Sequence, residues 1–165
     1  MTLSNFTIPI QERYFEDYPV GSVYEFGSIT VEEADVIAFA RQFDPQDFHT
    51  DPEAAKNSAF GGLIASGWHT GALMMRLIVD NFLSTVASVA SPGVDELRWL
   101  KPVRPGDVLS ARVTILETRR SNSNRDRGIV RTFAEVLNQQ REVVMDLKAV
   151  NIMLCRETTA QEEST

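Results

Sequence analysis

Residues 68–83 read Trp68-His69-Thr70-Gly71-Ala72-Leu73-Met74-Met75-Arg76-Leu77-Ile78-Val79-Asp80-Asn81-Phe82-Leu83. Ten of them, Trp68, Ala72, Leu73, Met74, Met75, Leu77, Ile78, Val79, Phe82 and Leu83, are apolar and cover more than one face of a helix. A helix apolar on most sides is a buried helix. Downstream of it the chain has the pattern of strands: about Asp95 to Trp99, Val108 to Thr118, Gly128 to Leu137 and Val143 to Met153. Pro102 to Asp107 make a sharp bend, Ser121 to Arg127 a polar loop, and Asn138 to Arg141 a hairpin. One buried helix followed by long strands predicts an α+β domain in which an antiparallel sheet wraps a long central helix. A sheet closed over a single helix leaves a flank uncovered, so association with further copies of the chain is expected.

Upstream of this helix the elements are shorter. Val23 to Ile29 read as a strand. Thr30 precedes Glu33 by three residues, a capping-box spacing, and residues 31–43 follow with helical periodicity up to Pro45. Asp51-Pro52-Glu53 offers a second cap for a short helix to about Asn57. The 165 residues suffice for one domain. Residues 1–13 are read as an N-terminal extension, 14–156 as the domain and 157–165 as a disordered tail.

A net charge of −7 disfavours non-specific binding to nucleic acid or an anionic membrane. The charge is uneven: residues 1–97 carry four basic and fourteen acidic side chains, residues 98–165 twelve and nine. Counter-charges for an anionic ligand are therefore expected in the second half. The single cysteine, Cys155, excludes an intrachain disulfide and suits a reducing compartment. Met1 to Phe15 lack the apolar segment of a signal peptide, and Arg76, Asp80 and Asn81 interrupt the longest apolar region. The expectation is a cytoplasmic protein.

Two segments carry chemistry. In Asp44-Pro45-Gln46-Asp47-Phe48-His49, Pro45 breaks regular helix, so the carboxylate and imidazole are free to face one cavity and divide acid and base duties over a water. The plainer reading makes Asp44 a helix terminator and His49 a surface loop residue. In Ala65-Ser66-Gly67-Trp68-His69, Ser66 and Gly67 stand at the start of the buried helix, where free backbone N–H groups and the helix dipole form an oxyanion site. The plainer reading is an N-cap and a packing glycine, and both readings can hold together. Trp68 and His69 are candidates for lining the pocket, although a buried helix start also needs large side chains for packing. A metal held by His49 and His69 would lack further ligands.

Taken in order, these motifs resemble the MaoC-like (R)-specific enoyl-CoA hydratase/dehydratase family. Asp44, His49 and Ala55 stand in the family's register, Phe60 to Gly67 are similar to its approach to the central helix, and Leu100 to Asp107 to its strand–bend segment. The likeness runs from about Tyr14 to Arg156. It implies a single hotdog domain, a homodimer or larger assembly, and reversible hydration of a trans-2-enoyl-CoA to a (R)-3-hydroxyacyl-CoA. Carried over, Asp44 and His49 activate the water and return a proton to C2, while the Gly67 amide binds the thioester oxygen. No metal or redox cofactor is implied; coenzyme A arrives as part of the substrate.

The chain departs from the family at Gln46-Asp47, where Asn-Pro is common, at Ser66, where His is frequent, and at Met75, where the better-known hydratases have a helix serine. An inward-pointing Asp47 would raise the pKa of Asp44. Among the basic residues, Arg125 and Arg127 are candidates for steering coenzyme A phosphates, the alternative being a solvated strand face. Met74, Met75 and Phe82 are read as core and as candidate walls of an acyl tunnel. Two other function classes compete with the lyase: an acyl-CoA thioesterase on the same fold, and a non-catalytic acyl-CoA binding subunit.

Overall fold

A computed structural model describes residues 2–156; the expected tail lies outside them. The elements run β1 (Val23–Thr30), α1 (Glu33–Phe43), α2 (Asp47–Thr50), α3 (Pro52–Lys56), α4 (Gly67–Asn81), β2 (Ser88–Trp99), β3 (Val108–Arg120), β4 (Arg127–Leu137) and β5 (Val143–Leu154). The strands form one antiparallel sheet in the order β1-β3-β4-β5-β2. Period-two alternation puts Leu109, Ala111, Val113 and Ile115 of β3 on the inner face beside Val130, Thr132, Ala134 and Val136 of β4.

α4 lies across that face, but off-centre. It packs on β1 and β3. At Gly27, with φ of +76°, a Cβ would stand 2.5 Å from Leu77 Cδ2, so only glycine lets the helix come this close to β1. The opposite flank is bare: every residue of β2 except the partly buried Leu97 is exposed. The helix expected to be buried all round is therefore buried on one side only. His69, Thr70, Met74, Leu77 and Ile78 are buried, whereas Trp68, Met75 and Val79 remain 62%, 44% and 46% exposed.

Two further sequence expectations change. Thr30 does not cap α1: it pairs with Val108 as the last residue of β1, and Glu32 takes the cap position without a side-chain bond. β2 begins at Ser88 rather than near Asp95. Pro92-Gly93 is absorbed as a register shift in an edge strand, where a missing N–H is tolerated. The Asp51 cap forms as read, accepting from the amides of Glu53 at 2.9 Å and Ala54 at 3.1 Å.

The far end of α4 is closed by the N-terminal segment. The Arg13 guanidinium is 8% exposed and donates to Asn81 O at 2.9 Å, Phe82 O at 3.3 Å and Ile8 O at 2.9 Å. It lies 3.6 Å above the ring of Phe6, which in turn stacks on Tyr24. A cation on the terminal carbonyls of a helix satisfies orphan acceptors and complements the dipole. Arg13→Ala is expected to lower stability by about 2–3 kcal/mol, read as a lower urea midpoint with an unchanged denaturant slope.

Candidate active site

α1 ends at Phe43 because Pro45 cannot continue it, and Asp44 leaves the helix with φ −152° and ψ 65°. The chain restarts at once as α2, the single turn that contains His49. This break folds Asp44 back on His49: Oδ2 and Nε2 are 3.4 Å apart. His49 is 5% exposed, not a surface residue, and its Nδ1 stands 2.8 Å from Ile64 O. A carbonyl only accepts, so Nδ1 carries a proton, which leaves Nε2 as the ring nitrogen turned to Asp44.

Ser66 caps α4. Its Oγ accepts from Trp68 N at 3.3 Å and donates to Asp44 Oδ2 at 2.7 Å, while Gln46 Nε2 donates to Asp44 Oδ1 at 2.7 Å. These bonds, Ser66's first and then Gln46's, hold the Asp44 carboxyl below its usual 3.8 despite partial burial. Asp47 is exposed, and the rise it was expected to cause is replaced by a lowering.

Gly67 opens α4, and its N–H meets no acceptor among the described residues. The Trp99 indole lies flat against its Cα, where any Cβ would collide with the ring, and meets Trp68 edge-on with ring centroids 5.1 Å apart. Asp44, His49, Ser66, Gly67, Trp68 and Trp99 surround one cavity of about 360 Å³. Phe48 and Phe60 form an apolar wall, pinned by Arg104, whose Nη2 donates to Phe60 O at 2.6 Å. Among the described residues, Lys101 is the one Lys or Arg that lines the cavity, and it pairs with Glu142.

The remaining sequence candidates lie elsewhere. His69 turns away from the cavity and stacks on Phe39 at 4.9 Å; its Nδ1 has no partner among the described residues. Met75 borders a second, more apolar cavity of about 290 Å³ between α4 and the uncovered half of the sheet, together with Met74, Ile78, Phe82 and Leu147. Arg127 pairs with Asp126, and Arg125 lies in the β3–β4 loop beside Arg120. Arg127 is nine residues along β4 from Val136, whose partner Met145 pairs with Trp99; at about 3.3 Å per residue this is about 30 Å away. Within one chain neither arginine reaches the cavity, because the loop hangs from the opposite end of the strands. Sequence reasoning missed Trp99 and the contact of Gln46 with Asp44; Lys101 stood among the basic residues considered for coenzyme A, with Arg125 and Arg127 preferred. The signals for the two missed residues were an aromatic residue closing a strand before the Leu100–Pro102 bend, and an amide placed between the acid and the imidazole.

The MaoC like domain family model matches residues 16–136, which include every residue of this cavity. The chain belongs to that family. Among solved structures, the MaoC-like dehydratase from Rhodospirillum rubrum is 42% identical with a TM-score of 0.82, covering 88% of this chain and 99% of that one. R-hydratase PhaJ1 from Pseudomonas aeruginosa is 28% identical with a TM-score of 0.67, covering 87% and 86%. The sheet and α4 thus form a hotdog fold. The mesaconyl-CoA hydratase of Cereibacter sphaeroides is 41% identical over 73 residues, 44% of this chain and 21% of that protein. The chain spans 92% of the Bacillus subtilis protein YdeM, at 29% identity over 131 residues, 79% of this chain.

His69 yields a prediction about stability rather than turnover. Burial pulls its pKa below the usual 6.5, with Asp35 opposing weakly. Below pH 6.5 the unfolded chain binds a proton that the folded ring resists. The stabilisation is therefore complete above pH 6.5 and is lost as the pH falls through that value towards the folded one. His69→Phe, which keeps an aromatic ring on Phe39, is expected to flatten the fall of Tm between about pH 7 and pH 5.

Proposed function

We propose that this protein is a hydro-lyase that adds water reversibly across the double bond of a trans-2-enoyl-CoA to give a (R)-3-hydroxyacyl-CoA. The observation that carries the reading is the shared cavity. A carboxylate and the imidazole Nε2 face one gap, and the Gly67 N–H at a helix start, which meets no acceptor among the described residues, borders the same cavity.

In the forward direction a water bound between Asp44 Oδ2 and His49 Nε2 attacks C3. The O–H bond breaks as the C3–O bond forms, and His49 Nε2 takes the proton. The C2=C3 π electrons move to the thioester, whose oxygen gathers negative charge against the Gly67 N–H and the positive end of α4. The Nε2 proton is then delivered to C2. Water supplies both added atoms, and His49 ends as it began. The reaction as written calls for no cofactor beyond the coenzyme A carried by the substrate.

Lys101, which lines the cavity and pairs with Glu142, is assigned the counter-charge for coenzyme A, a role the sequence reading gave to Arg125 and Arg127. The acyl chain is assigned to the second cavity, because α4 connects the two. Gly67 stands over the first and Met75 over the second, eight residues or about 12 Å along the helix. A second copy of the chain is assigned to the bare edge of β2 and the Trp68, Met75 and Val79 stripe of α4, an apolar face that continues from the cavity mouth.

The test follows loss of the enoyl-thioester absorbance with short, medium and branched trans-2-enoyl-CoA esters, together with free thiol. Absorbance loss without thiol is expected, and Asp44→Ala and His49→Ala are each expected to lower it at least about 100-fold while the fold is kept. Thiol release would assign the protein to the thioesterases instead. Wild-type turnover in both variants would overturn the site assignment. Ala149→Leu, which narrows the second cavity, is expected to lower kcat/KM for medium-chain esters about tenfold more than for the four-carbon ester.

A further inference from the structure

We propose that Ser66 and Gln46 are positioning residues that anchor Asp44 as a permanent carboxylate anion, leaving His49 as the only group that carries a proton in the reaction. The second half of this proposal rests on the hydratase reading; the first does not.

Both carboxylate oxygens are occupied by donors. Gln46 Nε2 holds Oδ1 and Ser66 Oγ holds Oδ2, each at 2.7 Å. An amide nitrogen only donates, so this bond favours the charged form; protonating Oδ1 would require the amide to turn its oxygen inward and give the bond up. Protonating Oδ2 would reverse the Ser66 bond. Ser66 is fully buried and its Oγ already accepts from Trp68 N, so its own proton would lose its acceptor. The bonds therefore select the anion from both sides.

Charge points the same way. Ser66 places the carboxylate at the N-terminal, electropositive end of α4. The titratable group facing Asp44 is His49 at 3.4 Å, across the gap; Lys101 lines the same cavity but pairs with Glu142. Asp47, the first residue of α2, is exposed, and among the described residues no second carboxylate lines the cavity. A fixed anion beside His49 stabilises the imidazolium formed when Nε2 takes the water's proton. The anion itself has no need to exchange one.

The experiment uses aspartate labelled with ¹³C at the carboxyl carbon, with the Asp44 signal assigned by its loss in Asp44→Asn. It is followed from pH 7 down to pH 3 in the wild type, Gln46→Leu and Ser66→Ala. The wild-type signal is expected to stay at the carboxylate position through the ordinary aspartate range, and its midpoint to move up in each variant. A wild-type midpoint at or above that range, or three coincident midpoints, would overturn the anchoring. Gln46 is exposed, so its variant carries the test alone if Ser66→Ala fails to fold. In the enoyl-thioester assay, the acid limb of log kcat/KM is expected to have a slope of one; a slope of two would overturn the single proton carrier. A shifted titration with a silent assay would remove the hydratase reading and leave the anchoring intact. An active assay with unmoved titrations would do the reverse.

Discussion

Leu77 pressed against the bare Cα of Gly27 decides where the central helix lies, and most of the molecule depends on that contact. The middle strand of the sheet is β4, and the close approach at Gly27 holds α4 towards the β1 edge. Seated over β1 and β3, the helix leaves β2 and half the inner face without cover. The second cavity is the space this displacement opens. The exposed stripe of α4 is its other consequence. Helix position also fixes the N-terminus of α4, where Ser66 and Gly67 meet the α1–α2 break on one side and Trp99 on the other. Both ends of the helix are then secured by side chains of opposite character. Ser66 caps its donors beside an anion, and Arg13 covers its acceptors with a cation.

What the sequence made legible was what local physics decides. Pro45 ends the helix here, so the chain alone left Asp44 and His49 free to face one cavity, with a surface His49 as the alternative that the structure removes. Asp51 before Pro52 caps a helix for the same local reason. Strand alternation in β3 and β4 needs only the pleat. The misreadings arise where a distant partner decides. Thr30 has the spacing of a cap, but Val108 of β3 claims it for the sheet. The apolar surface of α4 announces burial without saying by what, and in one chain part of it meets nothing. His69 stands two residues from Gly67, yet the helical turn of about 100° per residue sends the two in different directions, and His69 goes to Phe39. Arg125 and Arg127 were selected for charge, whereas strand length puts their loop at the wrong end of the sheet.

The two departures from the family along this helix belong together. Where a helix serine is usual, Met75 brings an apolar side chain to the second cavity; where histidine is frequent, Ser66 brings a hydroxyl to Asp44. A polar contact in mid-helix depends on a side-chain rotamer and sets a hydroxyl beside the surface that must receive an apolar chain. At the cap, the hydroxyl is held by Trp68 N–H, so the bond that starts the helix also orients the carboxylate. The polar work is gathered at the first turn, and the second turn onward is left wholly apolar on the side of the chamber. Such an arrangement suits a site in which charge develops at one end of the substrate and hydrocarbon must be desolvated at the other.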